Sequence, residues 1–220
     1  MKIVAVNDNQ TKKEFLEVVN TIYTDDKNWI RPLDSDIEKV FDPSKNPFFI
    51  HGKCTRWILV DANGKTIGRI ASFINDKKAQ NYEVPTGGVG FFECIDNKDA
   101  AFLLFDTAKA WLQENGMKAM EGPINFGEND TFWGLLVEGF TSPSYGMNYH
   151  LPYYHQLFTQ YGFTTAYEQL TNHINLNIPF PARFTKIANW VAAKPDYTFE
   201  HFKKANAEKY IEDLMEIYND

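Results

Sequence analysis

The stretch WILVDANGKTIGRIASFIN (residues 57–75) decides the fold. Two apolar runs, Trp57–Asp61 and Lys65–Ile74, flank Asn63-Gly64, a pair that tolerates positive φ and suits the two-residue turn whose twist matches its strands. A β-hairpin is predicted here. Upstream, residues 2–6 (KIVAV) read as a short buried strand, and Thr11 to Tyr23 carry Phe15, Val18, Val19 and Ile22 at the spacing of one helical face. From Trp29 to Gly52 the text is irregular, with Pro32, Pro43, Pro47 and Phe48-Phe49, and predicts a long structured loop holding one short helix at Asp34–Phe41.

Downstream, Asn75–Pro85 is a polar surface connection, and Gly87-Gly88-Val89-Gly90 leads into a strand ending at Ile95. Asp96 or Asn97 caps a helix that runs to about Asn115, with Ala101, Leu104, Phe105, Ala108, Trp111 and Leu112 on one stripe and Gly116 as its stop. KAMEGPIN (118–125) is the next strand, broken at Gly122-Pro123; an aromatic loop, a helix from Pro152 to Gly162 and a strand at Ala166–Asn177 follow. Phe184–Ala193 and Phe199–Tyr218 read as helices, the second turning Phe202, Ala205, Ile211, Leu214, Met215 and Tyr218 toward a core. A hairpin makes its strands antiparallel, whereas strand–helix–strand steps are right-handed crossovers. The predicted class is therefore α/β: a mixed, twisted sheet of six or seven strands with helices on both faces (residues 1–178), extended by a C-terminal helical segment (179–220).

Composition narrows the function. The 220 residues carry 29 acidic against 22 basic side chains, a net charge of −7, and no Lys/Arg-rich run marks a nucleic-acid footprint. Two cysteines, Cys54 and Cys94, are too few for a disulfide scaffold or a cysteine-built zinc site. His150 and His155 stand five apart, on different helical faces, so no metal site is expected. The N-terminus turns polar at Asn7-Asp8-Asn9 and no apolar run approaches membrane-spanning length. A cytoplasmic protein with no membrane partner is expected. Aromatic residues are concentrated, 11 of them between Phe126 and Phe163. Phe126, Phe132, Trp133, Phe140, Tyr145 and Tyr149 hold too much apolar surface to leave in water at ~25 cal/mol per Å², so this loop covers a substrate, with Phe126, Trp133, Tyr145 and Tyr149 as its candidate contacts, the sheet or a partner. The last helix reaches Glu216–Asp220 without a stop signal, which predicts a longer parent chain, a further C-terminal domain or a homodimer on its apolar face.

The hairpin, GGVGFFECID (87–96), MEGPINF (120–126) and YYHQLFTQYGF (153–163), in this order, resemble the GNAT-type acyl-CoA N-acyltransferase superfamily, and in particular bacterial GNAT-fold proteins whose substrates are unassigned. The resemblance covers roughly residues 1–178. It implies that strands 89–95 and 118–125 splay apart to admit an acyl thioester, acetyl-CoA or another acyl-CoA, for transfer to the amine of a small molecule. It implies that Glu93 faces the cleft as the general base, that the backbone of Phe92, Cys94 and Ile95 holds the thioester, and that Asn97 and Lys98 stand at the anion-binding helix start; Tyr154, one turn before the family's acid position and on the same helical face, is the candidate acid, and Asn125, at the end of the next strand, a candidate orienting amide. Arg69 is a second basic candidate for an anionic ligand. The sequence departs from the superfamily pattern twice. The loop after the fourth strand, Ile95-Asp96-Asn97-Lys98-Asp99-Ala100, lacks the glycines that cradle a pyrophosphate, and Phe158 stands where the acid tyrosine belongs. Plainer readings stand beside each candidate: Glu93 on a solvated strand face, Tyr154 packed under its helix, Asn125 capping a turn, Asn97 capping an ordinary helix, and Cys94 a small buried hydrophobe rather than a nucleophile. The function expected is N-acyl transfer; the alternatives are a non-catalytic ligand-binding or assembly module of the same fold and a transferase using another acyl donor.

Overall fold

Asp8 begins the first helix by chemistry local to its own turn. Its carboxylate accepts the Thr11 N–H at 2.7 Å while the Thr11 hydroxyl accepts the Asp8 N–H at 3.2 Å, a reciprocal cap, and α1 (Asn9–Ile22) then buries Phe15, Val18 and Val19. The computed structural model describes residues 1–79 and 83–219. They divide into two units, Met1–Ala166 and Tyr167–Asp220.

The first unit is built on a five-stranded sheet in the order β1-β2-β3-β4-β5. The strands are β1 (Lys2–Ala5), β2 (Gly52–Val60), β3 (Thr66–Asn75), β4 (Thr86–Cys94) and β5 (Ala119–Glu121). The first four pair antiparallel and β5 joins β4 in parallel, so the sheet is mixed. It has five strands among the described residues rather than six or seven. Ala166–Asn177, expected as a strand, is irregular and exposed: alternation supplies a face, but a strand exists only with a partner to pair with. The hairpin turn is also wider than two residues. Asp61 accepts the N–H groups of Asn63 and Lys65, each at 2.8 Å, and Gly64 takes φ 81°; the carboxylate outcompetes the tighter turn.

Helices cover both faces. On one, α4 (Lys98–Glu114) and α5 (Tyr153–Tyr161) pack Leu104, Phe105, Ala108, Leu112, Tyr154 and Phe158 against Ile70, Val89, Phe92 and Cys94. On the other, α1 and α2 (Asp34–Val40) pack Phe15, Ile37 and Val40 against Ile58, Ala71, Phe73 and Phe91. The expected connection 75–85 opens with α3 (Asp76–Ala79); its residues 80–82 lie outside the described ones.

Strand β4 decides the geometry of the site. It starts at Thr86, so Gly87, Gly88 and Gly90 lie inside it rather than before it. Gly90 has no alternative, because a Cβ there would run into the backbone carbonyl of Ile124. Opposite β3, the register jumps from Ala71↔Gly90 to Arg69↔Glu93, and Phe91 takes φ 49°. This is a β-bulge, and it re-aims the residues that follow. Strand β5 accompanies β4 only at Thr86↔Ala119, Gly87↔Met120 and Gly88↔Glu121, shorter than the expected 118–125. After the cis Gly122-Pro123 bond, the Ile124 N–H still reaches the Val89 carbonyl at 2.8 Å. Beyond that crossing, Phe91–Cys94 have no β5 partner.

The second unit holds α6 (Ala182–Ala192) and α7 (Ala207–Asn219). Neither buries a residue, and Ile211, Leu214, Met215 and Tyr218, expected to face a core, are exposed. Among the described residues no helix is long and apolar enough to cross a membrane.

Candidate functional site

Two segments, 30–48, which holds α2, and the irregular 125–147, form the walls of a cleft of about 780 Å³ in the first unit. Asn46 ties them together: its amide Nδ2 donates to the carbonyls of Val40 at 2.8 Å and Phe126 at 2.9 Å. Farther out, the Tyr145 hydroxyl donates to Asp36 at 2.5 Å. Phe48, Phe126 and Phe132 supply the apolar lining. Asn125 also lines the cleft, 8% exposed, with its Oδ1 buried and unpartnered. A smaller chamber of about 30 Å³ lies beside it and shares Ile30, Pro32, Phe132 and Met147 with its lining. Arg69, Phe92, Glu93, Tyr149 and His150 line that chamber.

Glu93 is the centre of a buried polar cluster. Its Oε2 accepts the Tyr154 hydroxyl at 2.7 Å and the Tyr23 hydroxyl at 2.8 Å, and its Oε1 lies 3.5 Å from Nη2 of Arg69. Burial raises the Glu93 carboxyl above its ordinary value, against the opposing pull of the Arg69 charge and the two phenols. Burial, and then the Glu93 charge, push Tyr154 and Tyr23 well above the usual phenol value, so both keep their protons at neutral pH. Arg69, 3% exposed, donates from Nη1 to the Phe15 carbonyl at 2.8 Å and lies over the Phe15 ring, while its Nε–H has no partner.

The unpaired end of β4 is capped by α5. The Cys94 N–H donates to the Tyr154 oxygen at 3.1 Å, and the Tyr153 hydroxyl donates to the Cys94 carbonyl at 2.7 Å. The Ile95 N–H is taken by Ile67 at 3.1 Å. Thus two of the backbone amides expected to hold a thioester already have partners. Cys94 itself turns toward the α4 side, its thiol pushed up to about 12 by burial. Asn97 accepts the Ala100 N–H at 2.9 Å as an ordinary N-cap, and exposed Lys98 lies over the Phe102 ring. Neither reaches the cleft, and the start of α4 does not fit a pyrophosphate: its cap is occupied and Asp99 stands in its first turn. Trp133 lines neither cavity. The structure therefore gathers Asn125, Phe126 and Tyr145 at the cleft and Phe92, Glu93 and Tyr149 at the chamber. Tyr154 reaches that chamber through Glu93. The sequence left out Tyr23 and Tyr153; Tyr23 extends the α1 stripe one turn beyond Val19, which signals burial but not a hydroxyl partner.

His150 is 4% exposed and accepts the Leu136 N–H on Nδ1 at 3.1 Å. Burial lowers its pKa from 6.5 to about 3. The folded protein keeps the ring neutral while the unfolded chain protonates it, so stability is full above pH 6.5 and lost as pH falls toward 3. Chemical denaturation is expected to show about 2 kcal/mol of this loss by pH 5, and His150→Gln removes it; equal pH slopes for the two proteins refute the assignment. Among the described residues, no three His, Cys, Asp or Glu side chains are grouped to hold a metal ion.

No family profile matches the sequence. Protein YghO of Escherichia coli (strain K12) is 29% identical over 209 residues, 94% of this chain and 52% of that protein, so the chain spans about half the length of this curated relative. Among solved structures, the chain is similar to a glucosamine-6-phosphate N-acetyltransferase of Arabidopsis thaliana, 10% identical, covering 79% of this chain and 98% of that one at a TM-score of 0.46. It is likewise similar to the aminoglycoside antibiotic 6'-N-acetyltransferase AAC(6')-Ih of Acinetobacter baumannii, 9% identical, covering 80% of this chain and 98% of that one at a TM-score of 0.46.

Proposed function

We propose that the first unit transfers an acyl group from a thioester to the amine of a small molecule bound in the 30–48/125–147 cleft. The observation that carries this reading is the placement of Glu93: a buried carboxylate beside a cleft, on the part of β4 that β5 has left. Glu93 takes the proton of the attacking amine, and burial, which raises its affinity for protons, favours that transfer. Tyr23 and Tyr154 hold its orientation, and Tyr154 acts through Glu93 rather than on the substrate. Because α4 offers no cradle for a diphosphate, the donor is gripped by its acyl end.

Acetyl-CoA and a short acetyl thioester of the pantetheine type are therefore expected to bind comparably. Each raises stability by about 2.7 kcal/mol at a hundredfold excess over its Kd, read by thermal shift or calorimetry. Glu93→Gln is expected to lower turnover at least about a hundredfold while both thioesters still bind. No shift with either thioester at millimolar concentration removes the transferase reading.

A second reading, a non-catalytic ligand-binding module, is favoured by one observation: the Cys94 and Ile95 amides are already occupied. On that reading small amines stabilise the protein and thioesters do not.

A further inference from the structure

A cleft selects its ligand by what its wall still has to offer, and the cleft between 30–48 and 125–147 offers mostly apolar surface. Phe48, Phe126 and Phe132 line it together with Ile30 and Leu33. The last two are large apolar side chains left 56% and 58% exposed, and apolar surface gathered in a concavity of about 780 Å³ marks a ligand site. The polar side chains of the cleft are largely spent on the protein. Asn46 uses both ends of its amide, accepting the Phe48 N–H at 3.0 Å and donating to the Val40 and Phe126 carbonyls. The Tyr145 hydroxyl is given to Asp36, and Asn125 keeps its Oδ1 buried. A ligand rich in hydroxyl groups would leave water and find few replacements here for the hydrogen bonds it gave up. Charge adds a second condition. Among the described residues, Arg31 is held by Asp34 at 2.8 Å and Lys45 by Asp42 at 3.1 Å, while Glu128 holds Lys78 at 3.0 Å. With these pairs matched, the charges that line the cleft are one cation, Lys39, against two carboxylates, Asp36 and Asp130, a negative balance that favours a cation over an anion.

We propose that the acyl acceptor is an amine carried on an apolar body, aromatic or branched, rather than on a hydroxylated or anionic one, an inference that rests on the transferase reading above and names its substrate class. The body displaces water from Phe48, Ile30 and Leu33, and that burial is the main source of affinity. The amine is the one group that the ligand keeps polar, and as an ammonium it enters a cleft whose unmatched charge is negative. Size follows from the same wall. A cleft of this volume takes a ligand of drug-like dimensions, so two linked rings cover more of it than one, and affinity rises as the apolar body grows.

Calorimetry at neutral pH with benzylamine, 4-phenylbenzylamine, glucosamine and biphenyl-4-carboxylate tests the body and the charge separately. 4-Phenylbenzylamine is expected to bind at least about tenfold more tightly than benzylamine, glucosamine or the carboxylate. Phe48→Ala is expected to weaken it at least about tenfold. If that variant does not fold, Leu33→Asn takes its place: Leu33 is exposed at the N-cap of α2, a position that favours asparagine, and the change removes apolar surface from the cleft. Unchanged affinity for 4-phenylbenzylamine in the folded variant overturns the proposal. So does glucosamine or biphenyl-4-carboxylate binding as tightly as 4-phenylbenzylamine, or no amine binding at millimolar concentration. The transferase reading is judged apart from this. Thioesters that bind and pass their acyl group to glucosamine but to neither benzylamine remove the inference and leave the transferase reading standing. Apolar amines that bind while no thioester does remove the transferase reading, and the acceptor role with it.

Discussion

Glu93→Leu lowers the unfolding free energy by about 3–5 kcal/mol, an effect set by what the carboxylate leaves behind. Arg69 is buried, and its nearest opposite charge is Glu93; a guanidinium stranded in that position keeps its desolvation penalty and loses its compensation. The Tyr154 hydroxyl, 2.7 Å from Oε2, loses its acceptor, and the Tyr23 hydroxyl, 2.8 Å from Oε2, is left with only the Tyr149 carbonyl at 3.1 Å. The change falls in the interior, so salt screens it little. Arg69→Met in the same chain is expected to restore much of the loss, since a pair replaced by apolar groups of similar volume is often neutral to stability. Urea denaturation of both single variants and the double variant gives the cycle. A loss below about 1 kcal/mol for Glu93→Leu, typical of an exposed ion pair, would mean that water reaches the cluster.

The same cluster marks where sequence reading stops. The hairpin of β2 and β3, the capped α4 and the Gly116 stop were legible because each is written in contiguous residues. Glu93 was legible as a base only through the resemblance; strand alternation left it equally on a solvated face. Its partners were not legible at all. Tyr154 stands 61 residues away and Tyr23 stands 70 away, on helices whose docking no local pattern specifies. The Phe91 bulge was hidden for a related reason. A residue with φ 49° reads in the sequence like any other phenylalanine, and the register shift depends on Arg69 across the ladder. In the aromatic loop Phe126, Phe132 and Tyr149 are buried, whereas Tyr145, expected to be kept out of water, is 79% exposed; periodicity distinguishes neither these nor the residues that line a cleft, such as Phe126, from those that do not, such as Trp133. The failed strand at 166–177 and the exposed faces of α6 and α7 share one cause: a pattern names the face to be buried and not its partner.

Phe92 separates two roles that the resemblance joined. It assigns the backbone of this residue to the thioester, whereas the structure makes its side chain a keystone of the α4–α5 core. The ring stacks on Phe105 at 4.4 Å and 14°, and stands edge-on to Tyr154 at 5.6 Å and Phe158 at 5.2 Å. It is 2% exposed. Phe92→Ala is therefore expected to lower stability by about 3–5 kcal/mol, the transfer free energy of the ring plus the cavity it leaves. Phe92→Leu, which keeps much of the volume, is expected to lose less than half as much. The packing also bears on the site, because Tyr154 is held against Phe92 while its hydroxyl bridges the Cys94 N–H and Glu93. If α5 loosens in Phe92→Ala, hydrogen exchange at the Cys94 amide should quicken well beyond that of the paired amides of β2 and β3. Denaturant midpoints and that exchange rate decide the matter together. A small change in both would place Phe92 in a loosely filled wall of the chamber, and Tyr154 would then owe its position to Glu93 alone.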